Sequence, residues 1–410
     1  MSPKEAKKHN TVYSKAFFGD LPTTIWDGTY LYTYKSSNYS SGRKGFSSHK
    51  HRPLVKFMSI VLPDGYVLET IGPFYSNGHN NDAGMTSQIL ENEVNGVKDW
   101  LLDSEQQNVV VDRGFRNVLD DLGVFGNLNV HMPSCDAKGT EQSSIQEANR
   151  SRLVTKIRWV VEAYHGRFKK FKLFENRQPT SRIGILKECL RILTATLNLF
   201  RPPIYNTTKD VDLHTAIANR MLERSRISVN IVETRVFSGP LSNRGRLWQE
   251  YVDNTQNEVN MSHPDVVSNF PRLSLDFLQQ NLTCGSYQIQ QAAHYTDEHM
   301  TANGGFTFSL HHTAPDLIRV RLQSRHKNAT KYFVWVQFSC DQISGWYCKC
   351  KCGRRVVGCC AHVATVVWYL GFARHNDYRP PSTITSYWKK VIDSAEGYED
   401  SYDETNKGTD

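Results

Sequence analysis

Apolar and polar residues in the first part of the chain follow a pattern that predicts a sheet-rich domain. β-Branched and aromatic residues at 24–34 predict a first strand. Apolar runs at 54–62 and 66–71 flank the turn residues Pro63-Asp64-Gly65, which indicates a β-hairpin. The uniformly apolar run at 109–111 is typical of a short central strand buried on both faces.

Helices are predicted between and after these strands. Residues 82–90 have a helical pattern, whereas the polar stretch 134–149 is expected to form a loop. The helix after this loop has one apolar face, because its apolar side chains recur at spacings of three and four. That face consists of Leu153, Ile157, Val160, Val161, Tyr164 and Phe168.

The C-terminal part changes to a β pattern after a mostly helical middle. Residues 213–226 and 273–282 are predicted to be helical. Three strands are expected at 306–310, 317–322 and 331–338, the last with alternating apolar side chains. This order predicts an α/β domain followed by a smaller α+β module.

Composition and charge add a candidate partner. The 410 residues, 39% of them hydrophobic, suffice for two or three domains, and the net charge of +8 is unevenly distributed. Residues 152–201 contain twelve Lys or Arg against three Glu, a candidate surface for a polyanion. Residues 386–410 contain three Lys against seven acids, which predicts a flexible acidic tail from about residue 376. No apolar run has the length of a membrane span, and the N-terminus lacks the apolar segment of a secretory signal.

A cluster of cysteines near the C-terminus indicates a metal site. Six of the nine cysteines lie within residues 340–360, and His362 follows. Soft thiolates and an imidazole in so short a span suit tetrahedral Zn²⁺. Cys348 and Cys350 are expected on one strand face, and a turn then leads to a helix at 361–370.

The choice of zinc ligands stays open at this point. Cys352 lies on the same predicted strand face as Cys350, and Cys359 adjoins Cys360, so the register is ambiguous by one step. Buried free cysteines or a disulfide are the alternatives to a metal. Clustered rather than paired cysteines fit a reducing compartment.

Three acids occupy positions that suit a second kind of metal site. Asp27 lies within the first predicted strand, Asp112 directly follows the strand at 109–111, and Glu162 lies on the long helix. Acids at strand ends and on a neighbouring helix can converge on a pair of Mg²⁺ ions, which prefer oxygen ligands. Two such ions can activate water and stabilise the leaving oxygen of a phosphodiester.

Each acid also has a purely structural interpretation. Asp27 could cap a turn at Gly28, Asp112 could cap a following helix, and Glu162 could pair with Arg158 one helical turn earlier. The residues alone leave both interpretations open.

Short strings in the first domain resemble the catalytic domain of DDE transposases, in the branch related to Harbinger-type elements. They are IWDGTY at 25–30, GPFY at 72–75, NDA at 81–83, VDRGF at 111–115 and VEAYHGRFK at 161–169. The resemblance covers roughly residues 20–202 and implies an RNase H-like fold with Asp27, Asp112 and Glu162 as catalytic residues. Asp82 corresponds to a further acid of this branch and is an accessory candidate.

The cysteine segment resembles the SWIM zinc finger, whose pattern is C-x-C followed by C-x-H. Matching the pattern residue by residue implies Cys348, Cys350, Cys360 and His362 as ligands of a structural Zn²⁺. The finger would span about 332–373. Its surface is expected to bind DNA or a protein partner.

Together the two resemblances imply a nuclear, transposase-derived protein that cleaves and joins DNA with Mg²⁺ or Mn²⁺. The DNA backbone would contact a basic face. That face consists of Arg158, Arg167, Lys169, Lys170 and Lys172. A catalytically inactive, host-adopted DNA- or protein-binding factor is the alternative, and an oligomer is compatible with either. Only some 23 residues precede the first predicted strand, which are too few for the upstream helix-turn-helix of such transposases.

The expected domains follow from these assignments. Residues 1–20 are a flexible N-terminus, 21–205 the RNase H-like domain and 206–281 a mostly helical linker region. Residues 282–375 are a β-rich module that ends in the zinc finger, and 376–410 are the acidic tail.

Overall fold

The computed structural model describes most of the chain, in two compact units. The described residues are 1–103, 106–123, 127–137, 139–238, 241, 247–253, 267, 269–300, 305–324, 327 and 329–376. The first unit comprises Met1–Asn230 together with Lys349–Gly358. The second comprises Ile231–Cys348 and the segment from Cys359 onward.

The first unit alternates strands and helices. Its strands are β1 Thr23–Tyr32, β2 Phe46–Ser47, β3 Arg52–Val61, β4 Val67–Tyr75, β5 Gln107–Val110 and β6 Leu128–His131. Its helices are α1 Pro3–Ala6, α2 Val12–Phe18, α3 Tyr39–Lys44, α4 Asp82–Glu91, α5 Val97–Leu102, α6 Leu119–Gly123, α7 Ile145–Lys169, α8 Lys172–Glu175, α9 Leu186–Phe200 and α10 Val211–Ser225. Short 3₁₀ turns lie at Lys7–His9, Val94–Gly96, Arg113–Val118 and Thr180–Ile185.

These strands form one mixed sheet. β1 pairs antiparallel with β3 and parallel with β5, and β5 pairs parallel with β6. β3 also pairs antiparallel with β4, through the predicted hairpin, and with the short β2. Three antiparallel strands that continue into two parallel ones are consistent with an RNase H-like fold, so the predicted α/β fold class is confirmed.

Helices cover both faces of this sheet. Adjacent residues of a strand point to opposite faces, and Asp27 faces α7 whereas Gly28 faces α4. The α4 side contains the larger apolar core. Its buried members include Trp26, Met58, Ile60, Met85, Ile89, Val109 and Phe115. On the other side the predicted apolar face of α7 is mostly buried, with Tyr164 and Phe168 at 1% and 0% exposure.

Two expectations for this unit differ from the structure. The first 20 residues were expected to be flexible but form α1 and α2, because capping boxes at Ser2 and Thr11 start both helices and Tyr13 is buried. The polar stretch 134–149 contains a loop only up to Ser144. Ser144 and Glu147 then form the capping box that starts α7 earlier than predicted.

The second unit is an antiparallel sheet with helices. Its strands, paired in the order β11-β10-β9-β8-β7, are β7 Trp248–Asp253, β8 Phe306–His311, β9 Ala314–Gln323, β10 Lys331–Phe338 and β11 Ile343–Cys348. Its helices are α11 Ile231–Phe237, α12 Leu275–Phe277, α13 Tyr287–His299 and α14 Ala361–Gly371. A π-helical turn at Leu278–Leu282 follows α12, and a 3₁₀ turn at Ala373–His375 follows α14. Buried side chains of α11, β9, β10 and β11 form a core, for example Val232, Leu317, Trp335 and Tyr347.

Strand β7 falls in the region expected to be a helical linker. It lies at the edge of the sheet, and most of its side chains are partly or fully exposed, so it lacks the apolar alternation of a half-buried strand. Residues 377–410 of the expected acidic tail lie outside the described residues. Within the described part of the chain, no helix combines the length and apolarity that a membrane span requires.

Candidate functional site

The pairing of β1 with β5 brings two of the predicted acids to the same level of the sheet. Ile25 is the partner of Val110 in this parallel pair. Asp27 and Asp112 each follow these partners by two residues, so the register that aligns the strands also aligns the two carboxylates. Asp27 is on the central strand of the sheet, and its side chain is 13% exposed.

Asp112 has a structural contact as well. Its carboxylate accepts a hydrogen bond of 2.7 Å from the backbone N–H of Gly114 and so caps the 3₁₀ turn Arg113–Val118. The helix-capping interpretation of this residue is therefore met. A cap uses one oxygen, which leaves the second carboxylate oxygen of Asp112 outside this bond.

Asp82 lies next to both strands, because two glycines make room for it. Asn81 caps α4 by accepting from Gly84 N–H at 2.8 Å and thereby sets Asp82 at the first position of the helix. A Cβ at Gly28 would overlap Asp82 Oδ1. A Cβ at Gly114 would lie 2.8 Å from Asp82 Oδ2 and 2.9 Å from Asp112 Oδ1. The carboxylates of Asp82 and Asp112 thus share the space above one glycine.

Glu162 belongs to the same end of the unit but is held differently. Arg158, one turn earlier on α7, forms an ion pair with Glu162 Oε1 and lies 3.6 Å from Asp27 Oδ1. The Glu162 side chain is 55% exposed. The structure therefore places Asp82 beside Asp112, couples both to Asp27 through their charges, and links Glu162 to Asp27 through the Arg158 guanidinium.

A buried polar pair that the sequence analysis did not select supports Asp27 from the α7 side. His165 Nδ1 lies 3.7 Å from Asp27 Oδ2, and its Nε2 lies 3.0 Å from the hydroxyl of Ser59. Ser59 is the cross-strand partner of Asp27 in the β1–β3 pair. Lys56 Nζ donates to the carbonyl of Asn80 at 2.7 Å, next to Asp82. Lys56 and Ser59 interrupt the apolar run 54–62, and this interruption was the available signal.

Burial and mutual repulsion dominate the electrostatics of the acids. Burial raises the pKa of Asp27 to about 7; Arg158 opposes this, and the charges of Asp112, Asp82 and Glu162 add to it. Burial also raises the pKa of Asp82, as does Asp112, against the effect of Lys56. Burial lowers the pKa of His165 to about 3, so this imidazole is neutral at physiological pH.

The acidic cluster suits a hard divalent cation by its chemistry. Carboxylates that raise one another's pKa values are relieved when a cation neutralises them, and Mg²⁺ and Mn²⁺ prefer such oxygen ligands. The ligand atoms are nevertheless spread out. Among the described residues, only one group of three or more Cys, His, Asp or Glu ligands packs within 4.8 Å, and it does not include these acids.

That group consists of Cys348, Cys350, Cys360 and His362, all of them buried. Cys348 ends β11, Cys360 is the N-cap residue of α14, and His362 lies in the first turn of this helix. The Cys348 Sγ to His362 Nδ1 distance is 3.8 Å, close to the roughly 3.6 Å between sulfur and nitrogen in a tetrahedral zinc site. None of the nine cysteines forms a disulfide, so a disulfide does not account for the cluster. The donor set and its size therefore fit Zn²⁺.

The predicted basic residues have different surroundings. Arg158 lies within the acidic site, and Arg167 donates to the carbonyl of Pro202 at 2.8 Å. Lys169 Nζ lies 4.6 Å from the centre of the Tyr30 ring, and burial lowers its pKa. Lys170 and Lys172 are exposed.

Comparison with known proteins found one family for the first unit. Residues 26–201 match the family model described as DDE superfamily endonuclease, a segment that contains Asp27, Asp82, Asp112 and Glu162. This match supports a DDE-type transposase or a nuclease derived from one. No curated protein and no solved structure matches the chain.

Proposed function

We propose that the first unit is a Mg²⁺- or Mn²⁺-dependent DNA endonuclease of the DDE transposase type, with strand transfer as its second step. The observation that supports this proposal is the placement of Asp82 beside Asp112, with charge coupling of both to Asp27, in a sheet consistent with an RNase H-like fold. The family match over residues 26–201 supports the same reaction class. The finer resemblance to the Harbinger-related branch, and a nuclear location, are parts of this proposal.

Asp27 and Asp112 would hold the divalent cation, with Asp82 beside them. The bound metal would lower the pKa of a water molecule and polarise the scissile phosphate. Hydrolysis breaks one P–O bond and leaves a 3′-hydroxyl, which can then attack a phosphodiester of a second DNA. The protein contributes position and charge: His165 and Ser59 fix the Asp27 carboxylate from the α7 side, and Lys169 adds positive charge where phosphate would lie.

Glu162 would join the metal ligands after a change of partner. Its ion pair with Arg158 joins two side chains of one helix, and the Glu162 side chain is 55% exposed, where such pairs contribute little. Arg158 also pairs with Asp27, so its guanidinium would compete with a divalent cation for both Asp27 and Glu162. Arg158 could then contact the DNA backbone, as its position in the basic stretch suggests.

The Cys/His cluster would hold a structural Zn²⁺ in the manner of a SWIM finger. Zinc ligands must be deprotonated thiolates and neutral imidazole, and a buried set of four without an open position is typical of structural sites. The finger would bind DNA or a protein partner, and this choice is part of the proposal.

The decisive experiment is a strand-cleavage assay with Mg²⁺ or Mn²⁺ on the native chain and on Asp112→Asn. Asparagine keeps the cap on Gly114 because its side-chain oxygen still accepts, so the fold should survive while the charge is lost. Cleavage should fall by about 10³-fold or more, in line with the loss of preorganised charge at a catalytic centre. Equal cleavage by both proteins would remove the nuclease proposal.

A non-catalytic, host-adopted DNA- or protein-binding factor is the second candidate. One observation favours this second candidate: the Arg158 guanidinium already pairs with Asp27 and Glu162, the carboxylates that a catalytic cation would need. In that case the native chain would bind no Mg²⁺ or Mn²⁺ at the acidic cluster in calorimetry, and Asp112→Asn would leave the heat of titration unchanged.

A further inference from the structure

The loop Lys349–Gly358, which contains Cys350 and leads to the second pair of Cys/His ligands, is packed into the first unit. Gln142 Nε2 donates to the carbonyl of Cys350 at 2.8 Å, and Ser143 N–H donates to that of Lys351 at 3.1 Å. Asn149 Oδ1 accepts from the backbone N–H groups of Val356 and Val357, at 2.9 and 3.2 Å. These bonds join the loop to the start of α7 and to the segment before it.

The loop and α7 enclose a basic cleft together with the residue that follows Asp112. Four basic side chains line it: Arg113, Arg152, Lys351 and Arg355. Hydroxyls of Ser143, Ser151 and Thr155 lie between them. The cleft measures about 260 Å³, at or below the lower end of ordinary small-molecule pockets, and no acid is among its lining residues.

One acid, Asp136, lies beside this cleft, and its charge is neutralised by Lys351. Asp136 is 3.2 Å from Lys351 Nζ. Burial raises the pKa of Asp136, but Ser143 and Lys351 outweigh this effect, so its pKa lies below the ordinary value. An ammonium group has three donors, so Lys351 can contact Asp136 and a second anion at the same time. The four basic side chains suit an anion with several acceptor oxygens, which a phosphate group provides.

The cleft lies on the helix face that leads to the acidic cluster. Thr155, Arg158 and Glu162 follow one another at spacings of three and four and so lie on one face of α7. Thr155 and Glu162 are seven residues apart, about 10 Å along the helix axis. Successive phosphates of one DNA strand rise about 3.4 Å, so this distance corresponds to roughly three nucleotides. Arg113 reaches the same cleft from the position next to Asp112.

We propose that this cleft binds a backbone phosphate of the DNA strand that is cut at the acidic cluster, and that the loop Lys349–Gly358 supplies half of the cleft. The inference rests on the proposed nuclease function for its choice of DNA. It assigns Lys351 and Arg355 a role in substrate positioning, distinct from the metal ligands on either side of them. The contacts are to the backbone and therefore carry no base specificity.

Binding of a labelled DNA duplex without added divalent cation tests the cleft separately from cleavage, and leaves the Cys/His metal in place. Lys351→Gln and Arg152→Gln, which change two separate segments, should each weaken binding about tenfold and reduce the slope of log K against log salt by about one. Lys351→Arg, which keeps the charge, should bind like the native chain. Lys349→Gln is the matched control, because Lys349 is exposed in the same loop and does not line the cleft.

The outcomes separate the two proposals. Unchanged affinity and salt slope in both Gln variants would overturn the cleft assignment and leave an acidic protein segment as the better ligand. Weaker binding in Lys349→Gln of the same size would also overturn it, since the effect would then reflect net charge. Weaker binding in the cleft variants, with no Mg²⁺-dependent cleavage by the native chain, would support the cleft and reject the nuclease.

Discussion

The acidic cluster and the Cys/His cluster are both candidate metal sites, but they are built in opposite ways. The acids come from residues as far apart as Asp27 and Glu162, and strands, helices and glycines position them. The Cys/His ligands all fall within 15 residues, at the end of one strand and the start of one helix. The first set is spread out and partly neutralised by Arg158, whereas the second is buried and packed within 4.8 Å.

This difference indicates that the acidic cluster depends on the fold around it, whereas the fold around the Cys/His cluster depends on the metal. A core of buried apolar side chains holds the acids whether or not a cation is bound. The four Cys/His ligands are polar groups that are themselves buried, and bonds to a metal would satisfy their thiolates and imidazole. Metal loss should therefore affect stability at the Cys/His site and function at the acidic site.

The largest effect is expected from loss of a Cys/His ligand. Cys360→Ser should remove bound zinc and unfold the segment around α14, because structural zinc contributes about 10–16 kcal/mol of apparent binding free energy in small zinc modules. Metal content by mass spectrometry and near-ultraviolet circular dichroism, which reports Trp335, Trp346 and Tyr347 nearby, are the measurements. The first unit should keep its own unfolding transition.

Cys352→Ser is the control for this change. Cys352 is in the same loop but is not a member of the four-ligand group. Its substitution should leave one zinc per chain. Loss of zinc in Cys352→Ser, with retention in Cys360→Ser, would move the site by one register step.

The sequence predicted these two regions unequally well, for physical reasons. Ligands that are close in sequence need only a turn to meet, so the pattern of thiols and imidazole already indicated the Cys/His cluster. Asp27 was found because it is a charge within a predicted strand, and Asp112 because it directly follows an apolar one. The ion pair of Glu162 with Arg158 was one of two alternatives in the sequence, since the helix spacing allows it and does not exclude a metal. The space above Gly28 and Gly114, and the packing of residues 349–358, depend on long-range contacts that no local pattern encodes.

The second effect tests whether the fold forces the acids together. Because the native pKa of Asp27 is about 7 and the ordinary value is 3.8, the folded chain retains a proton that the unfolded chain releases. The free energy of unfolding should therefore fall as pH rises from about 4 to 7 and level off above that range. Asp27→Asn lacks this loss and should be more stable than the native chain at pH 8 by up to about 4 kcal/mol, with no difference near pH 4.

Denaturant unfolding across this pH range, without added divalent cation, measures the difference. The effect of His165 on the free energy of unfolding has the opposite sign. Its native pKa of about 3 lies below the ordinary value of 6.5, so this contribution rises with pH up to about 6.5. Because both proteins keep His165, its contribution cancels between them. Added Mg²⁺ should stabilise the native chain and not Asp27→Asn. If the free energies of unfolding of the two proteins differed by the same amount from pH 4 to 8, the pKa of Asp27 would not be raised in the folded chain.

The smallest effect separates space from charge at the acidic cluster. Gly28→Ala adds a single methyl group, which would overlap Asp82 Oδ1 and come within 3.3 Å of Met85. Overpacking of this kind should cost about 1–3 kcal/mol and displace Asp82, so Mg²⁺ affinity should fall as well. Gly166→Ala is the matched control: Gly166 lies within α7 with no neighbour near an added Cβ, and alanine there should stabilise by about 0.5–1 kcal/mol. If both variants gained stability, the glycine would not be needed to seat Asp82, and the acids would owe their convergence to charge and pairing register alone.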